Sequence, residues 1–134
     1  MKLKKTAIDL IALARVCHVS TVDRAGTPHS VPVSPVGGGE RIFFASGKGA
    51  KKVRNLRRNR KVAVVFDDYT EAWSARRGVM IQGEAKILER GPIFNKIRRL
   101  LYEKFPQYAK ELPVEEGKAV IVEVTPRRSF SWGL

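Results

Sequence analysis

The chain has 134 residues, a length that fits one domain, and 43% of them are hydrophobic, which excludes a largely disordered chain. The formal net charge of +13 favours an anionic partner, such as a molecule that carries a phosphate. The single cysteine, Cys17, excludes an intrachain disulfide framework, and residues 1–13 are too short and too polar to span a bilayer. We therefore expect one domain over residues 1–134, in a soluble cytoplasmic protein without a membrane partner.

The N-terminal half is predicted to form one helix followed by short strands. Apolar residues at helical spacing predict a helix over 6–15. Two runs rich in valine, 16–22 and 29–33, flank a turn at 25–26 and therefore predict an antiparallel hairpin. The same signals predict a glycine turn and two further strands, at 37–39, 41–45 and 62–66.

The C-terminal half is predicted to contain two strands separated by a helix. Residues 79–87 alternate between apolar and polar side chains, so this strand is expected to be exposed on one face. Pro92 begins a helix whose apolar stripe continues to Phe105, and residues 120–124 form the last strand. Six strands with short turns predict a mainly β fold, an antiparallel Greek-key barrel with flanking helices, because a parallel sheet would need more crossover helices.

The strongest local signal for a binding site is the run Ser-Gly-Lys-Gly-Ala-Lys-Lys at 46–52, where a strand passes into a helix. The free N–H groups and the positive dipole end of a helix start suit a phosphate. Lys51 and Lys52 would be unfavourable in the first helical turn unless an anion compensates them. From residue types alone, a phosphate site and a solvated basic face are equally good interpretations of this run.

The other basic residues and the histidines show no sequence pattern typical of a catalytic or metal site. Residues 48–61 carry eight basic side chains and no acidic one, but those at 57–61 lie near the end of the helix, where cations need no ligand. His18 and His29 do not occur at a metal-ligand spacing, so we expect no metal. No nucleophile and base pair is visible, so we assign no catalytic residue.

Several short motifs, in this order, resemble the pyridoxamine 5'-phosphate oxidase-like split barrels. They are His-Ser-Val-Pro-Val at 29–33, Arg-Ile-Phe-Phe-Ala-Ser at 41–46, Lys-Lys-Val-Arg-Asn-Leu at 51–56, Lys-Val-Ala-Val-Val-Phe at 61–66, Gly-Glu-Ala at 83–85 and the terminal Trp132. The resemblance covers nearly the whole chain. It implies a six-stranded split barrel of the FMN-binding type, and it favours the phosphate interpretation of Lys51 and Lys52.

In that family FMN lies in a cleft at the interface of a homodimer. By similarity, nine residues would bind the cofactor: Ser30, Val31, Pro32, Val33, Ala45, Ser46, Lys51, Lys52 and Trp132. The two lysines would hold the phosphate, and residues 30–33 would run under the flavin ring and ribityl chain. Ala45 and Ser46 would offer backbone and hydroxyl contacts, and Trp132 would pack near the ring from the partner subunit.

Two departures from the family pattern bear on activity. Ser30 stands where the vitamin-forming oxidases usually carry arginine, and the chain stops before their Arg-x-His segment, so we do not expect pyridoxamine phosphate oxidase activity. Some short relatives bind a deazaflavin coenzyme, whose anionic tail would be attracted to this basic surface. FMN and a deazaflavin coenzyme are therefore both candidate cofactors.

Three functions compete at this point. The first is an FMN-dependent oxidoreductase acting on a small molecule, in which the flavin supplies the hydride chemistry. The second is a non-enzymatic flavin-binding protein, because fold and cofactor alone do not establish turnover. The third is nucleic acid binding through residues 48–61, which we do not expect because no aromatic side chains are interleaved to stack on bases.

Overall fold

The computed structural model describes residues 2–37 and 40–134. In chain order its elements are α1 (Lys5–Leu13), β1 (Cys17–Val22), β2 (Pro28–Val33), β3 (Pro35–Gly37), β4 (Ile42–Gly47), α2 (Lys51–Arg58), β5 (Lys61–Asp68), β6 (Arg77–Leu88), α3 (Pro92–Lys104), α4 (Tyr108–Glu111) and β7 (Ala119–Trp132). The predicted glycine turn at 37–39 falls partly on Gly38 and Gly39, which lie outside the described residues. No helix within the described ranges is long and apolar enough to cross a membrane.

The strands form one antiparallel sheet in the order β2-β1-β5-β6-β7-β4-β3. Its two edges, β2 and β3, are separated along the chain by Ser34 alone, so the sheet must curl until the edges meet. This confirms the predicted mainly β barrel with flanking helices. The strands number seven rather than six because residues 35–37 form the additional strand β3, for which no strand was predicted; the chain changes partner at Ser34, from β1 to β4.

The longest strand pair, β6 with β7, extends further than the sequence indicated. Residues 125–132 continue β7, which pairs with β6 from Gly78 opposite Trp132 to Leu88 opposite Ile121. Pro126 lies opposite Gly83, next to a register shift between Gln82 and Gly83. A proline lacks the N–H of a regular ladder and is tolerated at such an irregularity. The C-terminal segment is therefore held in the sheet of its own chain.

Hydrophobic cores lie on both faces of the curled sheet. The inner core includes Val19, Phe44 and Ile81 and is closed by α1 and α2. The outer core lies between α3 and the strands β3, β4 and β7, with Phe94 and Leu101 at its centre. The helix α3 thus covers the outer side of one half of the sheet.

The other half of the outer surface is more accessible, and we call it the open face. It consists of the outward side chains of β2, β1, β5, residues 77–82 of β6 and residues 128–132 of β7. His18 and Gln82 are exposed there, Met80 is half-buried, and Phe130 is 62% exposed. The predicted one-sided exposure of residues 79–87 is confirmed by this alternation.

Candidate functional site

The barrel opens along a gap between β2 and β4, which we call the split. The strand β3 pairs with β4 from Gly37 opposite Ile42 to Pro35 opposite Phe44. Continuing that register would place Val33 opposite Ser46, but the chain turns away at Ser34 and β2 pairs with β1 instead. The outer edge of β2 and the last residues of β4 therefore border the split, and the predicted residues 30–33, Ala45 and Ser46 all lie on these borders.

Side chains along the split follow the inside and outside alternation of the two strands. On β2, Val33 is buried, while Ser30 and Pro32 are exposed on the open face. The Ser30 and Ser20 hydroxyls form a hydrogen bond of 3.0 Å on that face. On β4, Ser46 is buried and its Oγ donates to the carbonyl of Gly47 at 3.2 Å. The borders thus offer hydroxyl groups and free backbone edges to a bound molecule.

The helix α2 begins at one end of the split, because residues 48–50 alone separate it from β4. Ala50 is its N-cap residue, no side chain caps the helix start, and the first turn contains no acidic residue. The helix is anchored beneath by Asn55, a buried side chain that donates to Oγ1 of Thr21 on β1 at 3.0 Å. An uncapped helix start held in place in this way can bind an anion.

The two lysines at this helix start have different surroundings. The Lys51 Nζ lies 3.7 Å from a carboxylate oxygen of Asp23 in the β1–β2 turn. That carboxylate also accepts hydrogen bonds from the backbone N–H groups of Thr27 and Ala25, and the Thr27 bond is the main reason why the pKa of Asp23 is lowered. Lys51 is therefore already paired, through a residue that the sequence analysis did not connect with it.

Lys52 is half-buried, and no carboxylate within the described ranges lies within 4 Å of it. Burial lowers its pKa because removal of water disfavours the charged ammonium. A partly desolvated cation without a counterion is unfavourable, and a bound anion would relieve that cost. Of the two lysines, Lys52 is the stronger candidate anion ligand.

Trp132 is the one predicted site residue that lies away from the split. Its ring packs on Gly78 of β6, where the absence of a side chain leaves room for it, and it stays 37% exposed on the open face. Between β7 and β2 the sheet contains β6, β5 and β1, so the two strands are separated by roughly 19 Å along the sheet. Trp132 therefore lies on the far side of the open face from the β2 border of the split.

A groove of about 720 Å³ crosses the open face beside Ser30. Its floor follows one row of the sheet, in which Ser20, Ala63, Gln82 and Arg128 are successive register partners. The row begins at Ser30, which is the partner of Ser20 on β2. The groove is large enough for a cofactor-sized molecule and joins the β2 border of the split to the C-terminal half of β7.

The two histidines lie on opposite faces of the sheet. Within the described ranges, no group of three or more His, Cys, Asp and Glu side chains could hold a metal ion. His18 is exposed on the open face, whereas His29 points inward opposite Thr21 with its Nδ1 buried and unpartnered. Among the residues that the structure describes, neither histidine has a carboxylate or hydroxyl hydrogen-bond partner of the kind that orients a catalytic base.

These features define a class of protein, the split β-barrel with a candidate anion site at one helix start. The sequence model of the family described as pyridoxamine 5'-phosphate oxidase matches residues 3–133, and the chain therefore belongs to that family. No curated protein matches the chain.

Solved structures have the same fold. The conserved hypothetical protein Rv2991 from Mycobacterium tuberculosis is similar with a TM-score of 0.83 and 22% identity, over 98% of this chain and 85% of that chain. The heme storage protein HutZ from Vibrio cholerae is similar with a TM-score of 0.80 and 19% identity, over 97% of this chain and 94% of that chain. An F420 reductase is similar with a TM-score of 0.77 and 21% identity, over 96% of this chain and 98% of that chain.

Proposed function

We propose that the chain is the subunit of a flavin-dependent oxidoreductase that binds FMN along the split and acts on a small molecule. The observation that carries the proposal is Lys52, a half-buried cation without a carboxylate partner among the described residues, at an uncapped helix start. An anion at this point would meet backbone N–H groups, the positive helix end and an ammonium group together. The FMN phosphate is such an anion, and membership of the family supports a flavin as its carrier.

The rest of the cofactor would extend from α2 along the borders of the split. The Ser30 hydroxyl and the free edge of β2 would contact the ring and ribityl chain, and Ala45 and Ser46 would contact it from β4. The flavin, when bound, supplies the hydride chemistry, whereas the protein supplies binding and orientation. This division of roles accounts for a site whose described side chains include no acid and base pair.

We further propose that two copies of the chain pair through their open faces. Trp132 lies about four strand spacings from β2, and a second copy packed on the open face could bring its own Trp132 to the flavin ring. Phe130, which is 62% exposed, lies 6.0 Å from Trp132 between ring centroids and adds apolar surface that a second copy would cover. A twofold pairing of identical faces is the commonest form of homodimer.

A deazaflavin coenzyme is the alternative cofactor. Arg54 and Arg58 are exposed along α2 and take part in no ion pair within the described ranges, so they could hold an anionic tail that extends beyond the phosphate. The F420 reductase among the structural neighbours is consistent with this alternative. A binder without turnover also remains an alternative, since HutZ has the same fold and is described as a storage protein.

The experiment that tests the proposal is a visible absorption spectrum of the purified protein, followed by mass measurement of the extracted chromophore. We expect a flavin spectrum and the mass of FMN, either as isolated or after reconstitution. The mass of a deazaflavin coenzyme would select the alternative, and failure to bind either compound would refute the proposal. Reduction of the bound flavin by a nicotinamide donor under anaerobic conditions would then separate an oxidoreductase from a binder.

A further inference from the structure

A second, smaller cavity lies on the β4 border of the split, outside the barrel. It has a volume of about 210 Å³ and is lined by Ala45, Gly47, Tyr108, Leu112, Val114 and Ala119, among others. The lining is mostly apolar, and its floor is the part of β4 that extends beyond the end of β3. The cavity is too small for a flavin, because sites for drug-sized ligands occupy roughly 300–1,000 Å³.

The walls of this cavity are held by hydrogen bonds from neighbouring elements. The backbone N–H of Val114 donates to the Tyr102 hydroxyl at 2.9 Å, and Arg98 donates to the Val114 carbonyl at 3.3 Å. On the opposite side, the backbone N–H of Lys48 donates to the carbonyl of Lys118 at 3.0 Å. A cavity whose walls are fixed from both sides is largely formed before a ligand binds, which lowers the entropic cost of binding.

Tyr108 lines the cavity and, unlike Ser46, its hydroxyl donates no hydrogen bond within the described residues, so it can orient a ligand there. Its ring packs against Tyr102 and Phe105, with centroids at 6.3 and 6.0 Å, so the side chain has a defined position. Burial raises the pKa of its hydroxyl, although the neighbouring Ser34 acts in the opposite direction. The phenol therefore stays protonated at neutral pH and can donate its hydrogen to an acceptor on a ligand.

Among the described residues, Lys118 is the one cation in the lining, and it faces solvent. The Lys118 Nζ forms an ion pair of 3.4 Å with Glu115, and its side chain is mostly exposed. The cavity thus offers mostly apolar walls and two neutral hydroxyl groups, those of Tyr108 and Ser46, and the Ser46 hydroxyl already donates to the carbonyl of Gly47. A cavity of roughly 150 Å³ is known to hold benzene, so this somewhat larger volume fits one ring with a small substituent.

We propose that this cavity is a substrate pocket for a small, uncharged, one-ring molecule whose carbonyl or hydroxyl oxygen accepts a hydrogen bond from Tyr108. Ala45 lines the cavity and belongs to the β4 border of the split, so a molecule held there would lie next to the cofactor. That adjacency, though not the binding itself, rests on the proposed flavin function.

The test is a titration of the full chain with benzamide, followed by methyl NMR. We expect the methyl signals of Ala45, Leu112, Val114 and Ala119 to shift, while that of Val64 in the inner core stays unchanged. Acetamide has the same acceptor without the ring and should give no shift at the same concentration. Unchanged cavity methyls at saturating benzamide would overturn the proposal.

Two variants test the two parts of the site. Tyr108→Phe removes the donor and should weaken benzamide binding by roughly 2- to 12-fold, the effect of one neutral hydrogen bond. Leu112→Ala removes apolar wall from a residue that is 70% exposed, so it should weaken binding without unfolding the domain. Tyr69→Phe, at an exposed tyrosine of the β5–β6 loop, is the matched control and should leave affinity unchanged. Full affinity in both Tyr108→Phe and Leu112→Ala would refute the site.

Repeating the titration with FMN-loaded protein separates the two proposals. Retained benzamide binding is the expected result, since the cavity lies beside the flavin. Displacement of benzamide by FMN would mean that the cavity is part of the cofactor site, and would overturn the separate pocket. Benzamide binding in a chain that fails to bind any flavin would leave the pocket standing and refute the proposed function.

Discussion

Lys51 and Lys52 are neighbours in sequence but differ in what their ammonium groups contact. Lys51 is exposed and lies 3.7 Å from Asp23, so part of its charge is already compensated. Lys52 is half-buried and has no such partner among the residues that the structure describes. An arriving phosphate would gain more from Lys52, because an unpaired and partly desolvated cation forms the stronger charge-assisted bond.

This difference predicts unequal effects of removing each lysine. Lys52→Ala should weaken FMN binding by roughly 10- to 150-fold, corresponding to one charge-assisted hydrogen bond of about 1.5–3 kcal/mol. Lys51→Ala should have a smaller effect. Lys96→Ala on α3 changes the net charge equally and should leave affinity unchanged. Fluorescence titration gives the FMN affinity of all three variants. If Lys96→Ala lowered the affinity as much as Lys52→Ala, the net charge alone, and not a phosphate site at α2, would explain FMN binding.

Cys17 illustrates how burial alone controls reactivity. Its side chain is fully buried on β1, and burial raises the pKa of the thiol to about 12. At pH 9 only about one thiol in a thousand would be ionised in the folded protein, and the thiolate is the reactive form. We therefore expect iodoacetamide to alkylate Cys17 slowly in native protein at pH 9 and rapidly in urea. Equal rates in the two conditions would show that the thiol is not buried as described.

At the scale of secondary structure, the site depends on where strands stop pairing. The chain leaves β1 and joins β4 at Ser34, and this exchange of partners opens the split. The strands β6 and β7 belong to both halves of the sheet, since β5 pairs with one half of β6 and β4 with the other half of β7, and the bulge beside Pro126 interrupts their pairing. These breaks in regular pairing create the borders on which the candidate site lies.

The close approach of β6 to β7 at this bulge predicts a specific stability effect. A Cβ atom at Gly83 would collide with the backbone carbonyl of Thr125, which cannot move aside as a flexible side chain can. Gly83→Ala should therefore lower the free energy of unfolding by about 1–3 kcal/mol. At Gly49 an added Cβ would meet nothing within 4 Å, so Gly49→Ala serves as the control in urea unfolding. Equal stability of the two variants would contradict the close pairing.

Local patterns predicted most of the elements but not the features that depend on distant contacts. The hairpin of β1 and β2, the start of α2 after the glycine-rich run, and Pro92 at the start of α3 follow from turn chemistry and periodicity. The extension of β7 through Pro126 was missed, because proline followed by two arginines is typical of a loop. The role of Asp23 beside Lys51 was also missed, since it depends on how α2 packs against β1.

At the scale of the whole molecule, the proposed site residues are divided between the split and the open face. Residues 30–33, Ala45, Ser46 and the lysines of α2 lie around one split, whereas Trp132 lies across the sheet. The family resemblance predicts that all nine residues contact one cofactor. That prediction agrees with the position of Trp132 in the sheet if a second chain supplies this tryptophan. We therefore expect flavin affinity to depend on self-association.

Charging the open face should separate the two chains. Phe130→Glu places a carboxylate on each copy at the proposed interface, so we expect a monomer with reduced FMN affinity. Ile93→Glu makes the same change at a 52% exposed residue of α3, away from the open face, and should leave the dimer intact. Light scattering gives the mass of each variant. A wild-type monomer, or a Phe130→Glu dimer with full affinity, would contradict the cross-subunit site.

The central claim is that the start of α2 binds the phosphate of a flavin, and comparing FMN with riboflavin tests it most directly because the two differ only in that phosphate. Titration of the apoprotein with each compound should show FMN binding at least 10-fold more tightly, as expected for one or more charge-assisted hydrogen bonds of about 1.5–3 kcal/mol each. The ratio of FMN affinity to riboflavin affinity should be smaller in Lys52→Ala, where one of those hydrogen bonds is lost. Equal affinities of the wild-type protein for FMN and riboflavin would contradict the account.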